Sequence, residues 1–194
     1  VEISNFYGAD EDYVLGGGGN TSYKDSEKGI MYVKASGYCL ADITRDGFAA
    51  MSLEKLAEIM KKSYPEEDDE RERQALEDLM NAREEKRPSV ETLLHALLPQ
   101  KFVLHLHPTA VNGLSCSKEA SYWYKLLNPD CIYIPLTKPG YTLAAACKKE
   151  IEKYRAERGE EPYLLMMQNH GLFVSADTPE KLQDRFKDFM NMVN

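Results

Sequence analysis

Residues 87–108 read RPSVETLLHALLPQKFVLHLHP, and within this stretch the spacing of apolar residues changes from helical to alternating. Val90, Leu93, Leu94, Leu97 and Leu98 recur at i, i+3, i+4, i+7 and i+8, which predicts a helix that starts at Pro88 and Ser89 and buries one face. At about 100° per residue, Glu91 and His95 fall side by side on the edge of that stripe. From Phe102 the period becomes two. Phe102, Leu104 and Leu106 face one way, while Val103, His105 and His107 face the other. At 194 residues and 43% hydrophobic, the chain is long enough to bury a sizeable core, and the reading is one α/β domain over residues 1–194.

Working outward, MYVKAS (31–36) has the character of a strand among Gly-, Asn- and Asp-rich turns, and SLEKLAEIMKK (52–62) that of a helix capped by Ser52. Segment 66–87 is dense in mixed charge and is expected to be a solvated helix or excursion without chemistry. Beyond 107 the pattern predicts a helix over 118–127, a strand over 132–136 and a helix from Thr142 to near Gly159. A buried strand over 163–168 follows. A last helix, started by Thr178 and Pro179, buries Leu182, Phe186, Phe189 and Val193.

A net charge of −8 opposes capture of nucleic acid or anionic lipid, both of which need a basic surface. Any phosphate must therefore be met locally. Cys39, Cys116, Cys131 and Cys147 form no CxxC pair, and free thiols in a reducing compartment are expected. No apolar run approaches the roughly 20 residues of a membrane span and no leader pattern opens the sequence, so the expectation is a soluble, cytoplasmic protein. The start at Val1 rather than Met is taken as a sign of residues upstream.

His105 and His107 stand on one strand face. Such a pair reads either as two nitrogen ligands for a zinc-like metal, at about 2.0–2.1 Å, or as two incidental histidines on a half-exposed strand. His170, in a Gly-containing turn after the 163–168 strand, can supply a third ligand and Glu91 a fourth. Three imidazoles with a carboxylate nearby suit a catalytic metal more than a structural one. His95, one turn from Glu91, is expected as a hydrogen-bonded partner or core histidine. GGGGNTS (16–22) fits neither the dinucleotide nor the P-loop pattern. It is either a flexible turn or a backbone cradle for an anion, with Asn20 and Ser22 adding side-chain bonds. KASG (34–37) and the helix start at Pro88 and Ser89 are further anion-friendly elements.

GGGGNTS, KASG, RPSVETLLHA, HLHP and QNHG, in that order from Gly16 to Gly171, resemble the class II aldolase/adducin family. RPSVETLLHALLPQKFVLHLHPTAV and IPLTKPGYTLA most resemble the rhamnulose-1-phosphate aldolase domain of bifunctional aldolase/dehydrogenase proteins. The resemblance implies a three-layer α/β/α fold with a central mixed, mainly antiparallel sheet, and a homotetramer with active sites between subunits. It implies Zn2+ or another divalent transition metal on His105, His107, His170 and Glu91, with Glu91 also moving protons. It places substrate phosphate at Gly19, Asn20, Ser36, Gly37 and Ser89. Many members carry a second Ser or Thr where this chain has Val90. The implied activity is cleavage of a ketose 1-phosphate of rhamnulose or fuculose type to dihydroxyacetone phosphate and a small aldehyde. Glu91, beside the apolar stripe, is expected to have a raised pKa. Fuculose-phosphate aldolase takes its aldehyde-side acid from a neighbouring subunit's tyrosine, for which Tyr122, Tyr124, Tyr133 and Tyr141 are candidates. Pentulose-phosphate 4-epimerase, a related dehydratase or decarboxylase, and a non-catalytic adducin-like module are the alternatives.

Overall fold

Alternation along the central strands gives a sheet with two apolar faces, and helices cover both. A computed structural model describes residues 1–193. In order it contains α1 (Glu2–Gly8), β1 (Asn20–Asp25), β2 (Ile30–Lys34), β3 (Phe48–Ser52), α2 (Leu53–Ile59), α3 (Asp68–Asn81) and α4 (Thr92–Leu97). Then follow β4 (Phe102–Leu106), α5 (Thr109–Ser115), α6 (Ala120–Leu127), β5 (Ile132–Ile134), α7 (Tyr141–Arg158), β6 (Leu164–Met167), β7 (Gly171–Ala176) and α8 (Pro179–Val193). The strands form one seven-stranded sheet in the order β3-β2-β1-β4-β7-β6-β5. All neighbours are antiparallel except β5 and β6. This is the three-layer α/β/α arrangement, with a mixed and mainly antiparallel sheet, that the sequence reading expected.

Val103, Met167 and Phe173 on one sheet face pack with Leu56, Leu79, Leu93 and Ile151 from α2, α3, α4 and α7. Leu104, Leu106 and Leu172 on the other face pack with Tyr7, Val111, Tyr124 and Phe186 from α1, α5, α6 and α8. β6 is buried at every position, as a strand covered on both sides requires. α2 starts where Ser52 accepts a hydrogen bond from the Lys55 amide at 3.3 Å, and α7 stops at Gly159, whose φ of 71° ends the helix in the left-handed region. Among the described residues no helix is long and apolar enough to cross a membrane. All four cysteines are free, Cys131 and Cys147 buried and Cys39 and Cys116 exposed.

One expectation about the helices is corrected. The helix anticipated from Pro88 begins at Thr92, with Glu91 at its cap position, and Val90 is 55% exposed. The cause is tertiary: Ala35 bridges to Pro88, the Ser36 amide donates to Arg87 O, and the Ser89 amide donates to Lys34 O. That pairing holds 87–89 extended, so Ser89 stands before the helix rather than in its first turn. The charged segment, read as a solvated helix or excursion, contains the helix α3, which buries only Ala75 and Leu79 and caps α7. Its Glu72 carboxylate accepts from the amides of Tyr141 at 2.7 Å and Thr142 at 2.9 Å.

Candidate metal centre

Four side chains from three separate parts of the chain meet beside the middle strand. β4 lies between β1 and β7 and presents His105 opposite Asn20 on one side and Phe173 on the other. His107 follows directly after β4, where its amide donates to Tyr13 O at 3.1 Å. His170 sits in the β6–β7 turn, formed by Asn169 in the left-handed region at φ 56° and by Gly171. The Asn169 amide donates to Ser115 Oγ at 3.2 Å, which ties the turn to α5. Glu91 comes from the start of α4.

One ligand atom from each of Glu91, His105, His107 and His170 lies within 4.8 Å of every other, a set that can hold a metal ion. Glu91 Oε1 is 3.1 Å from His105 Nε2 and 2.6 Å from His170 Nε2. His105 Nε2 is 2.8 Å from His107 Nε2. His105 Nδ1 donates to Leu172 O at 2.9 Å, and its ring stacks on Phe173 with centroids 4.2 Å apart. The Nδ1–H bond leaves the lone pair on Nε2, facing the other groups, which is the tautomer a metal requires. Three imidazole nitrogens and a carboxylate oxygen gathered within 4.8 Å of one another can hold a divalent cation.

Burial on its own would push the Glu91 carboxyl up, but the charge and hydrogen bonds of His105, and then of His170, outweigh it and hold the group well below the usual carboxylate range. The apolar stripe had suggested a raised value. The imidazoles overturn that expectation because their charge and hydrogen bonds together outweigh the burial. Burial, then repulsion from His105, pushes His107 down to about 4. Burial also pushes His95 well below its ordinary value. Metal ligation needs an anionic carboxylate and imidazole nitrogens free of protons, and the lowered Glu91 and His107 groups favour both.

The residues expected at a phosphate divide into two groups. Gly19 is buried, with φ 65° and no room for a Cβ, which would come 3.0 Å from His105 O. Asn20 is 3% exposed, and Ser89 stands beside it, its Oγ accepting from Asn20 Nδ2 at 3.2 Å. Ser36 and Gly37 lie in the exposed loop that follows Ala35, the bridge partner of Pro88. Lys34 ties the two glycine-containing loops together, donating to Gly17 O at 3.1 Å and Tyr38 O at 2.7 Å. Among the tyrosines, Tyr124 is fully buried and donates to Val111 O at 2.7 Å, and Tyr141 donates to Lys62 O at 3.4 Å. Tyr133 is half-buried against Tyr124, whereas Tyr122 on α6 is 61% exposed.

One neighbour of the site, Phe173, escaped the sequence reading, and another, Ser22, was expected to bond an anion rather than a histidine. Phe173 forms the floor under His105, and Ser22 bonds His95. The polar alternation of Asn20, Ser22 and Lys24 along NTSYKD was the signal available for the strand, and GGGGNTS was read instead as a flexible turn or an anion cradle.

The chain is 31% identical over 188 residues, 93% of its length, to the uncharacterized oxidoreductase YuxG of Bacillus subtilis (strain 168), and spans 26% of that protein. It superposes with a TM-score of 0.81 and 28% identity on the N-terminal class II aldolase domain of a conserved protein from Thermoplasma acidophilum, covering 99% of this chain and 89% of that one. An L-fuculose 1-phosphate aldolase shares the fold at TM-score 0.64 and 20% identity, over 99% of this chain and 81% of its own. Residues 3–192 match the Class II Aldolase and Adducin N-terminal domain, and the chain belongs to that family.

Proposed function

We propose that this chain is a metal-dependent aldolase that cleaves a ketose 1-phosphate of rhamnulose or fuculose type to dihydroxyacetone phosphate and a small aldehyde. The observation that carries the reading is the convergence of Glu91, His105, His107 and His170 within 4.8 Å. His105, His107 and His170 would hold the metal, with Glu91 reaching it through Oε1. A divalent ion there, Zn2+ or a related transition metal, supplies Lewis-acid polarisation of the substrate carbonyl.

The protein's own groups do the rest. Glu91, held as a carboxylate, is poised as the base that takes a proton from the substrate's C3 in the condensation direction and returns it in cleavage. Gly19, Asn20, Ser36, Gly37 and Ser89 would receive the phosphate, through backbone N–H groups and the Ser36 and Ser89 hydroxyls, because the Asn20 amide is already engaged. Phosphate binding orients the reacting carbons. Tyr122 is the tyrosine free to reach into a neighbouring copy of a tetramer, since Tyr124 is buried and bonded.

The test is incubation of the zinc-loaded protein with rhamnulose 1-phosphate, fuculose 1-phosphate and ribulose 5-phosphate. Release of dihydroxyacetone phosphate from either of the first two is expected. Inversion of ribulose 5-phosphate at C4 would make the chain an epimerase instead, and inactivity on all three with metal bound would refute both readings.

A further inference from the structure

Behind the metal centre, a line of buried polar groups runs away from Glu91 into the protein. Asn20 Nδ2 donates to Glu91 Oε2 at 2.6 Å. Asn20 Oδ1 bonds His95 Nε2, and His95 Nδ1 is 2.8 Å from Ser22 Oγ. His95 is completely buried, edge-on to Phe173 with ring centroids 5.1 Å apart.

The chemistry of each group fixes the direction of every bond. A carboxylate only accepts, so Asn20 must turn its NH2 towards Glu91 and its carbonyl oxygen towards His95. His95 must then donate from Nε2. Its Nδ1 is left as an acceptor, and the Ser22 hydroxyl fills it. Reversing any one bond would set two acceptors or two donors face to face in a buried site, at a cost of about 1–3 kcal/mol.

An amide carries no readily transferable proton, so this line cannot relay protons to Glu91. It can orient. We propose that His95, oriented by Ser22, is a positioning residue that locks the Asn20 amide and thereby holds Glu91 Oε2 away from the metal, leaving Oε1 turned to His105 and His170. The inference rests on the metal-centre reading above. It assigns a role to a histidine that ligates nothing, and it accounts for two polar residues on the buried face of β1.

The test is titration of the chelator-stripped protein with Zn2+ and Co2+, comparing wild type with His95→Phe, His95→Gln and Ser22→Ala. Each variant is expected to bind one metal, because the three imidazoles remain. His95→Phe is expected to weaken Zn2+ affinity about 10- to 100-fold and to alter the Co2+ visible spectrum, which reports ligand geometry. His95→Gln, which keeps an N–H donor, should recover most of the loss. Ser22→Ala, a small change expected to fold, should shift affinity and spectrum in the same direction. A folded His95→Phe and Ser22→Ala with wild-type affinity and spectrum would overturn the proposal, and Ser22→Ala decides alone if the Phe variant does not fold. Equal behaviour of folded His95→Phe and His95→Gln would also overturn it, reducing His95 to packing. Wild-type protein that binds neither metal would instead refute the metal centre itself.

Discussion

Asn20 and His105 face each other across the antiparallel pair of β1 and β4, and both reach Glu91, at 2.6 Å from Nδ2 and 3.1 Å from Nε2 respectively. The register of two strands separated by some eighty residues therefore sets the position of the carboxylate. A slip of one residue would turn Asn20 to the opposite face.

Glu91→Gln is the direct probe of that carboxylate. The three imidazoles remain, so metal content by elemental analysis should stay at one per chain. Turnover should fall about 10²- to 10⁴-fold, the usual contribution of a positioned acid–base group. Unchanged turnover would remove Glu91 from proton transfer.

Gly171→Ala should destabilise the chain and disturb the site together. The residue has φ 152°, and a Cβ there would press into Leu106 O and lie 2.7 Å from His107 Cδ2. A loss of about 1–3 kcal/mol in urea unfolding, with weakened Zn2+ binding, is expected. Gly113→Ala, in α5 with open space around its Cβ, should instead stabilise by about 0.5–1 kcal/mol, because alanine is the better helix former.

Glu72→Ala separates fold from site. It removes the acceptor for the Tyr141 and Thr142 amides at the start of α7. Stability should drop by about 0.5–2 kcal/mol while metal stoichiometry and affinity stay unchanged. Altered metal binding would show that the cap supports the site after all.

Lys24→Met carries a pH signature. Burial lowers the Lys24 amine from its ordinary 10.5 to about 7. Between these values the unfolded chain binds a proton that the folded chain does not, so stability rises with pH across this window, and the full penalty is present below pH 7. The variant should therefore be more stable than wild type at pH 7, by about 1–4 kcal/mol, after about 1 kcal/mol is lost because Gln100 O gives up its donor. The gain should shrink towards pH 10. Urea melts at pH 7 and pH 9.5 check both points, and a variant less stable than wild type at pH 7 would contradict the argument.

Much of this architecture was legible in the sequence. The alternation of residues 102–107 correctly separated Leu104 and Leu106 from His105, and the helices at 52–62, 118–127, 142–159 and 179 onward lie close to the observed elements. β1, β3, β7, α1 and α5 were missed, because their short segments follow no periodicity strong enough to stand out among glycines and polar residues. The start of α4 was misplaced because the pairing of Ala35 with Pro88 overrode the local helical pattern.

The amino-acid order alone determined which side chains are available: three imidazoles and one carboxylate, and an apolar pattern that demands a sheet covered on two sides. Folding decided what those groups are to one another. The Glu91 carboxyl lies low rather than high because two imidazoles, at 3.1 and 2.6 Å, together outweigh its burial. His95 lies outside the cluster because Asn20 and Ser22 engage both of its nitrogens. Such outcomes depend on distances of a few ångströms between residues remote in the chain, and only strand register and helix packing set those distances.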